Sequence, residues 1–184
     1  MTGDGRQLLV DASVVIRLTQ VRELSLLEHI DGRACFPNSV VREVSDEPAA
    51  TRLDSVLDET GWAETCERPP KSTLSTAAVH LYGDGVDDVD FDEPEADIEL
   101  LACALQNEVK TVVVSDDMPL RETCKALSVS VTGSFGVLIR AVECGALEAE
   151  AARERLYAMD EVDARLSATL VRRVERQIEE AEPD

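Results

Sequence analysis

The sequence predicts an α/β protein in which a parallel sheet is covered by helices on both faces. Short runs of apolar, often β-branched residues alternate along the chain with longer segments in which apolar residues recur at helical spacing. Such alternation is typical of βα units, which place their helices on the faces of a parallel sheet. Two of the apolar runs, LLVDAS at 8–13 and VVVSDDMP at 112–119, lead directly into aspartate. This repetition is the first indication of a site.

Three of the predicted strands lie within residues 1–67. Pro37 ends the second strand, and Asn38 is expected to be the N-cap of the helix that continues to Glu47. Gly61 is expected to close the helix after that one. The predicted strands are 8–10, 33–36 and 62–67, and the predicted helices are 12–20, 23–30, 39–47 and 49–60.

The rest of the chain contains the two remaining strands and its strongest helical pattern, EADIELLACALQNE at 95–108. An acidic loop at 82–94 precedes this helix, and Pro94 suits a helix start. Gly145 is expected to end the last helix before the tail, where two further helices are predicted. The predicted strands are 112–114 and 129–131, and the helices before the tail are 72–81, 95–108, 120–127 and 134–143.

A length of 184 residues suits one domain, and no linker or repeat divides the chain. No apolar run approaches the length of a membrane span, and MTGDGRQ at the start lacks the features of a signal peptide. We therefore expect a cytoplasmic protein without membrane contact. The five cysteines show no CxxC spacing, so reduced and mostly buried thiols are expected. With two histidines in the chain, a zinc site or a histidine-based nuclease is disfavoured.

The formal net charge of −20 is the most unusual global property of the chain, and only Lys71, Lys110 and Lys125 are lysines. This composition is typical of proteins from salt-loving organisms, with an acidic protein of an ordinary cytosol as the alternative. Molar salt shortens the Debye length to about 3 Å and screens the self-repulsion of such a surface. The missing basic patch is therefore only a weak argument against nucleic-acid binding.

Four carboxylates stand where a parallel sheet assembles a ligand site. Asp11 and Asp116 follow strands, and open α/β sheets bind ligands beyond the carboxyl ends of strands where the strand order reverses. Glu43 lies one turn into the helix after the second strand, and Asp97 lies in the first turn of the helix at 95–108. Four converging carboxylates need a cation. Oxygen ligands without histidine or thiolate suit Mg²⁺ or Mn²⁺, the metals of many nucleases.

Each acid also has an interpretation that requires no ligand. Asp11 and Asp116 could be helix N-caps, and Asp117 fits a cap or a first-turn acid better than a ligand. Glu43 alone is typical of a solvated surface. Asp97 could be a favourable charge near a helix N-terminus.

Other polar residues flank these acids. Ser13, and Ser134 after the last strand, could hydrogen-bond a water of the metal or a phosphate, with helix capping as the alternative for both. Arg17, Arg121 and Lys125 could contact phosphate, although exposed solubilising charges are the preferred interpretation.

The order of these motifs resembles the PIN domain family of metal-dependent ribonucleases. That family opens with a strand ending in aspartate and a nearby serine or threonine, here VDAS with Asp11. An early helix carries a glutamate, here PNSVVREV with Glu43, and a mid-chain helix begins with an acid, here PEADIELLACA with Asp97. A fourth acid follows the next strand, here VVVSDD with Asp116. The closing VTGSFGVLIRAVECGAL is similar to one branch of the family.

The resemblance covers roughly residues 8–147, which leaves 148–182 as a helical extension of a single PIN-like domain. It implies a three-layer α/β/α sandwich with a parallel sheet of strand order 3-2-1-4-5, in which the strands before Asp11 and Asp116 are neighbours. Aspartate stands at 97 where this branch often has glutamate. The doublet leaves open whether Asp116 or Asp117 faces the metal.

The resemblance further implies a Mg²⁺- or Mn²⁺-dependent endoribonuclease. Asp11, Asp97 and Asp116 would bind the metal, and Glu43 would complete the acidic pocket. The partner would be RNA, joined by an antitoxin protein if the chain is a VapC-like toxin, and family members often form homodimers. A role in RNA processing is the other interpretation.

Two further functions compete with this one. A PIN-like scaffold could bind RNA or protein without cutting; the four acids argue against it, and the few cations keep it open. A receiver-like phosphoacceptor domain would require an acid pair at the first strand and a lysine after the last one. VDAS and VSVTGS supply neither.

Overall fold

The apolar runs at the predicted strand positions form one sheet of five parallel strands. The computed structural model describes residues 5–59, 61–83, 86, 89–106, 110–163 and 166–182. The strands are β1 (Gln7–Val10), β2 (Arg33–Phe36), β3 (Ala63–Thr65), β4 (Thr111–Val114) and β5 (Ser130–Thr132). Their order, β3-β2-β1-β4-β5, confirms the predicted fold class and the predicted strand order.

Helices cover both faces of this sheet. They are α1 (Ala12–Gln20), α2 (Asn38–Glu43), α3 (Ala49–Glu59), α4 (Lys71–Tyr82), α5 (Ala96–Gln106), α6 (Met118–Ala126), α7 (Ser134–Glu143), α8 (Ala149–Asp163) and α9 (Ala168–Glu180). Helices α4, α5 and α6 pack together on one face, and α1 contacts α3 and α7 on the other. The tail helices α8 and α9 pack against α7 and against each other.

The sheet forms the centre of the core because its strands are apolar on both faces. Leu8, Leu9 and Val10 of β1 are all buried, as are Val113 and Val114 of β4. Continuous burial along a strand is expected when helices cover a parallel sheet on both sides. Burying these side chains stabilises the fold by roughly 1.5–3 kcal/mol each.

The strand order reverses at the pair β1 and β4, where Leu9 lies opposite Val113. Strand β2 lies on the other side of β1. Helix α1 begins directly after β1, and α6 follows β4 after a short loop. The chain leaves the two strands towards opposite faces, so a crevice opens at their carboxyl ends, the usual location of ligands in open α/β sheets.

The helix after β2 differs from its prediction at both ends. Asn38 is the first residue of α2 rather than its N-cap, because Pro37 occupies the cap position. The helix ends at Glu43 and not at Glu47. Val44 leaves the helical conformation, with ψ of 76°, and buries its side chain in the core.

Smaller differences occur elsewhere. Leu24–His29 forms a 3-10 helix where an α-helix was predicted, and α5 begins one residue later than expected, at Ala96. Predicted positions 60, 84–85, 87–88 and 107–108 lie outside the described residues. The cysteines are free thiols, of which Cys144 is exposed. Across the described ranges, no helix combines the length and the apolar character needed to cross a membrane.

Candidate functional site

Asp11 lies at the carboxyl edge of the sheet and is only 4% exposed. It occupies the N-cap position of α1, but its side chain makes no capping hydrogen bond, so capping does not explain it. Its Oδ2 instead accepts hydrogen bonds from the hydroxyls of Ser13 (2.5 Å) and Ser115 (2.7 Å). The same two hydroxyl oxygens accept from the N–H groups of Asp116 (3.2 Å) and Asp117 (3.0 Å). Two serines therefore fix the Asp11 carboxylate against the loop after β4.

A cavity of about 500 Å³ opens between α2 and the start of α5. We call it the acidic cavity; its lining residues are Ser39, Arg42, Glu43, Pro94, Glu95, Ala96 and Asp97. Arg42 joins the two walls, because its Nη2 donates to the carbonyl oxygen of Pro94 at 2.9 Å. Glu95 accepts a hydrogen bond from the Tyr82 hydroxyl at 2.8 Å. The cavity thus brings Glu43 and Asp97, predicted on separate helices, to one place.

The acids at this edge repel one another. The pKa of Asp97 is raised to about 7, first by burial and then by the negative charges of Asp11, Asp117, Glu43 and Glu95. The pKa of Glu43 is also raised, first by burial and then by Asp11 and Glu95. The charge of Asp11 therefore acts on both Asp97 and Glu43 of the acidic cavity. A bound cation would remove this repulsion and lower both pKa values.

Ser39 presents an unsatisfied hydroxyl at the wall of the acidic cavity. Its Oγ is buried and has no hydrogen-bond partner among the described residues. Its N–H donates to Oε2 of Glu99 at 2.8 Å, and Glu99 itself is only 2% exposed. Because an orphaned buried hydroxyl costs about 1–3 kcal/mol, a polar ligand in the cavity would be stabilised at this point.

The two aspartates after β4 have different neighbours. Asp117 is the N-cap of α6, where its Oδ1 accepts a backbone hydrogen bond of 2.8 Å, as expected of a cap, and its charge acts on Asp97. Asp116 accepts hydrogen bonds from the N–H (2.9 Å) and the hydroxyl of Ser134, the first residue of α7. Its Oδ2 also lies 3.3 Å from Nη1 of Arg17. The charge of Asp117 thus acts on the acidic cavity, whereas the hydrogen bonds of Asp116 connect it to α7.

Two glycines make room for the side chains around Asp116. A Cβ on Gly133 would lie 2.5 Å from Oδ1 of Asp116 and 2.9 Å from Nη1 of Arg121. A Cβ on Gly136 would lie 1.9 Å from Oγ1 of Thr132. The glycines of the VTGSFG motif are therefore explained by side chains that occupy the space a Cβ would need.

Beyond Asp116 the surface becomes basic. Arg17, Arg121, Lys125 and Arg173 line a cavity of about 840 Å³, which we call the cationic cleft. The prediction of exposed solubilising charges is wrong for Arg17 and Arg121, which are half-buried. Arg17 stacks over the ring of Phe135 at 5.7 Å from its centroid, and Arg121 donates to a backbone carbonyl at the end of β4 at 2.7 Å. Lys125 is exposed.

The acidic cavity fits a divalent cation in its chemistry. Its candidate ligands are carboxylate oxygens, the donors that Mg²⁺ and Mn²⁺ prefer, and their mutual repulsion favours a positive charge. In the described part of the chain, no three His, Cys, Asp or Glu side chains are already arranged to coordinate a metal ion.

A family comparison agrees with the strand order and with the acidic residues at the carboxyl edge of the sheet. The family model of the PIN domain matches residues 7–180. The chain belongs to the PIN domain family. PIN domains are generally nucleases that bind nucleic acid and use divalent metal ions. The match runs past residue 147 to the end of α9, so it includes the tail helices. No curated protein gives a match to the chain.

Three residues at this edge of the PIN domain were not singled out in the sequence. Ser115 had a recognisable signal, because it follows a strand and precedes an acid, much as Ser13 follows Asp11. Glu95 is the first residue of the helix predicted at 95–108 and resembles its acidic neighbours. Ser39 had no local signal, since its importance comes from burial beside a cavity.

Proposed function

We propose that this PIN domain is a Mg²⁺- or Mn²⁺-dependent endoribonuclease. The observation that carries the proposal is the electrostatic cluster around Asp97, whose pKa is raised to about 7 by burial and by four other acids. Strongly perturbed carboxylates beside a cavity are typical of functional sites. The family supplies the nuclease activity in general, and the preference for RNA is part of our proposal.

We assign metal binding to Asp11, Asp97 and Asp117, with Glu43 completing the pocket. Asp117 is favoured over Asp116 because its charge acts on Asp97, whereas Asp116 is bonded to Ser134 and lies beside Arg17. Asp116 stays a candidate ligand, because it follows β4, the neighbour of the strand that leads into Asp11. Stabilisation by Mn²⁺, compared for Asp116→Asn and Asp117→Asn, decides between them.

The residues around the metal position have separate tasks. A divalent ion, when bound, would stabilise negative charge on the phosphate and make a water more acidic. Ser13 and Ser115 hold the Asp11 carboxylate in one orientation through Oδ2. Ser39 offers its hydroxyl to a polar group in the acidic cavity. We assign to Glu43, whose pKa is raised, the acceptance of a proton from the attacking water.

The direct test is cleavage of a single-stranded RNA with and without Mn²⁺. We expect cleavage that needs the metal and is lost in Asp97→Asn, which removes a charge without changing side-chain size. Asp58→Asn is the matched control, because it makes the same change on an exposed position of α3. Cleavage of a DNA strand of the same sequence at an equal rate would refute the preference for RNA.

The second candidate is a PIN scaffold that binds RNA or protein without cutting. The observation that favours it is the absence, among the described residues, of three ligands already arranged for a metal. In that case Asp97→Asn would leave RNA binding unchanged, and no metal-dependent cleavage would be found in the wild type.

The cellular setting also belongs to this proposal. We propose a single-domain cytoplasmic nuclease that acts as an antitoxin-controlled toxin or in RNA processing. Coexpression with the protein encoded beside it distinguishes these roles: a toxin is neutralised by that neighbour, and a processing enzyme is not. A homodimer is tested by sedimentation at several salt concentrations.

A further inference from the structure

We propose that the cationic cleft binds the phosphodiester backbone of single-stranded RNA next to the acidic cavity, with Arg173 of the C-terminal helix as one of its phosphate contacts. This inference rests on the proposed function, whose substrate path it describes. It assigns a role to α9, a helix that carries none of the candidate metal ligands.

Charge is concentrated in this cleft to a degree that the composition does not predict. The chain has 18 lysines and arginines against 38 acids, yet four of those cations line one cavity. Asp116, the acid in this lining, is engaged by Arg17 and Ser134. Because the Debye length is about 10 Å at 0.1 M salt, the charges nearest the cleft contribute most to its potential.

The inner cations are held in position before any ligand arrives. Arg121 is fixed by its hydrogen bond to the carbonyl oxygen of Ser115, and Arg17 by Asp116 and the ring of Phe135. Side chains that are already ordered lose little conformational entropy on binding. Lys125 and Arg173 are exposed, so they are available at the rim.

The C-terminal helix α9 is held beside the cleft by apolar packing. Val174 and Ile178 of α9 are buried, and α9 packs against α7. This packing turns Arg173 and Gln177 towards the cleft, whereas Arg172 and Arg176 do not line it. The helix therefore adds one cation and one amide to the cleft.

The position and lining of the cleft favour RNA as the occupant. Asp116 lines the cleft, and the next residue, Asp117, acts by its charge on Asp97 of the acidic cavity, so a strand lying in the cleft would bring a phosphate close to that cavity. Phe135, Ile139 and Leu170 give it an apolar part, and Met118 at its edge is 58% exposed. Cations beside apolar side chains suit a nucleotide, which has both a phosphate and a base. An acidic peptide would use the cations alone.

The test measures RNA binding without cleavage. A labelled single-stranded RNA is titrated with the full chain in EDTA, by fluorescence anisotropy, between about 0.05 and 0.2 M salt. Arg173→Gln is compared with Arg172→Gln, which removes the same charge from the same helix outside the cleft. We expect about tenfold weaker binding for Arg173→Gln, with the slope of log K against log salt reduced by about 1. Lys125→Gln should behave in the same way.

Several outcomes would overturn this inference. They are the absence of RNA binding by the wild type, equal affinities and salt slopes for Arg173→Gln and Arg172→Gln, and displacement of RNA by a poly-glutamate peptide at equal concentration. Metal-dependent cleavage is assayed separately. If binding follows the expectation and no cleavage occurs, the proposed nuclease fails while the cleft still binds RNA. If cleavage occurs but the two arginine variants bind alike, only the cleft assignment fails.

Discussion

The acidic cavity and the cationic cleft lie at the same edge of the sheet, and their lining residues carry opposite charge. In the acidic cavity, burial and neighbouring carboxylates raise the pKa of Asp97 and of Glu43, and Arg42 is the one cation of the described lining. In the cleft, the carboxylate of Asp116 is bonded to Ser134 and lies beside Arg17. The acidic cavity would bind a cation from solution, whereas the cationic cleft contains arginine and lysine side chains of the chain itself. The net charge of −20 reveals neither property.

The largest effect on stability is expected from Gly136→Ala, which disturbs the cleft and leaves the acidic cavity unchanged. The new Cβ would lie 1.9 Å from Oγ1 of Thr132, which also lines the cleft. We expect a loss of about 1–3 kcal/mol in the free energy of unfolding, measured with urea. Gly61→Ala is the control, because a Cβ there meets nothing within 4 Å. A loss in Gly136→Ala no greater than in Gly61→Ala would show that crowding against Thr132 does not explain Gly136.

The aspartate doublet gives the next largest effect and separates the two regions directly. Asp116→Asn should lower the free energy of unfolding by about 1 kcal/mol, because Arg17 loses its charged partner while the Ser134 contact is partly kept. Its stabilisation by Mn²⁺ should persist. Asp117→Asn should change stability little, since asparagine caps a helix as well as aspartate does, but the stabilisation by Mn²⁺ should disappear.

Thermal unfolding with and without Mn²⁺ measures both halves of this prediction. The opposite pattern, with metal stabilisation lost in Asp116→Asn and kept in Asp117→Asn, would place Asp116 at the metal. The acidic cavity would then extend into what we have assigned to the cleft.

A third effect concerns pH in the absence of metal. The pKa of Asp97 in the folded state is about 7, above its value of 3.8 as an unperturbed side chain. The folded chain therefore holds this proton in a range where the unfolded chain has released it, so stability is greatest below about pH 4 as far as Asp97 is concerned and falls towards pH 7. Asp97→Asn should flatten this part of the stability profile. A profile identical to that of the wild type would show that Asp97 does not carry the repulsion.

The smallest effect is expected on the outer face of α9. Arg176 pairs with Glu180 at 3.7 Å, but both side chains are about 70% exposed. Exposed pairs of this kind contribute about 0.5 kcal/mol or less. Arg176→Ala should therefore change neither the urea midpoint nor RNA binding, and a clear loss of RNA affinity would show that the binding surface extends beyond the cleft.

The sequence predicts the scaffold of this site better than its electrostatics. Apolar strands that lead into Asp11 and Asp116 are local patterns, and the pairing of β1 with β4 confirms that the two strands are neighbours. The differences arise where long-range packing decides. Val44 ends α2 early because its side chain enters the core, and Arg17 is half-buried because Phe135 and Asp116 lie against it.

The roles of the candidate acids stay predictions. The sequence placed Asp11, Glu43 and Asp97 on three different elements, and the structure brings them close enough that the charge of Asp11 raises the pKa of both Glu43 and Asp97. The contribution of Arg173 could not be predicted, because no local pattern indicates which face of a tail helix packs near the sheet edge. The unpartnered hydroxyl of Ser39 likewise depends on a cavity formed by two separate helices.

The most direct measurement of the central claim is calorimetric titration of the metal-free chain with Mn²⁺ at pH 8, for the wild type, Asp97→Asn and the control Asp58→Asn. This pH lies above the raised pKa of Asp97, so the Asp97 carboxylate is ionised and can bind a metal ion. We predict saturable binding to the wild type and to Asp58→Asn, and an affinity about tenfold lower or undetectable for Asp97→Asn. Absence of binding to the wild type, or equal affinity in all three proteins, would contradict the assignment of the acidic cavity as a metal site.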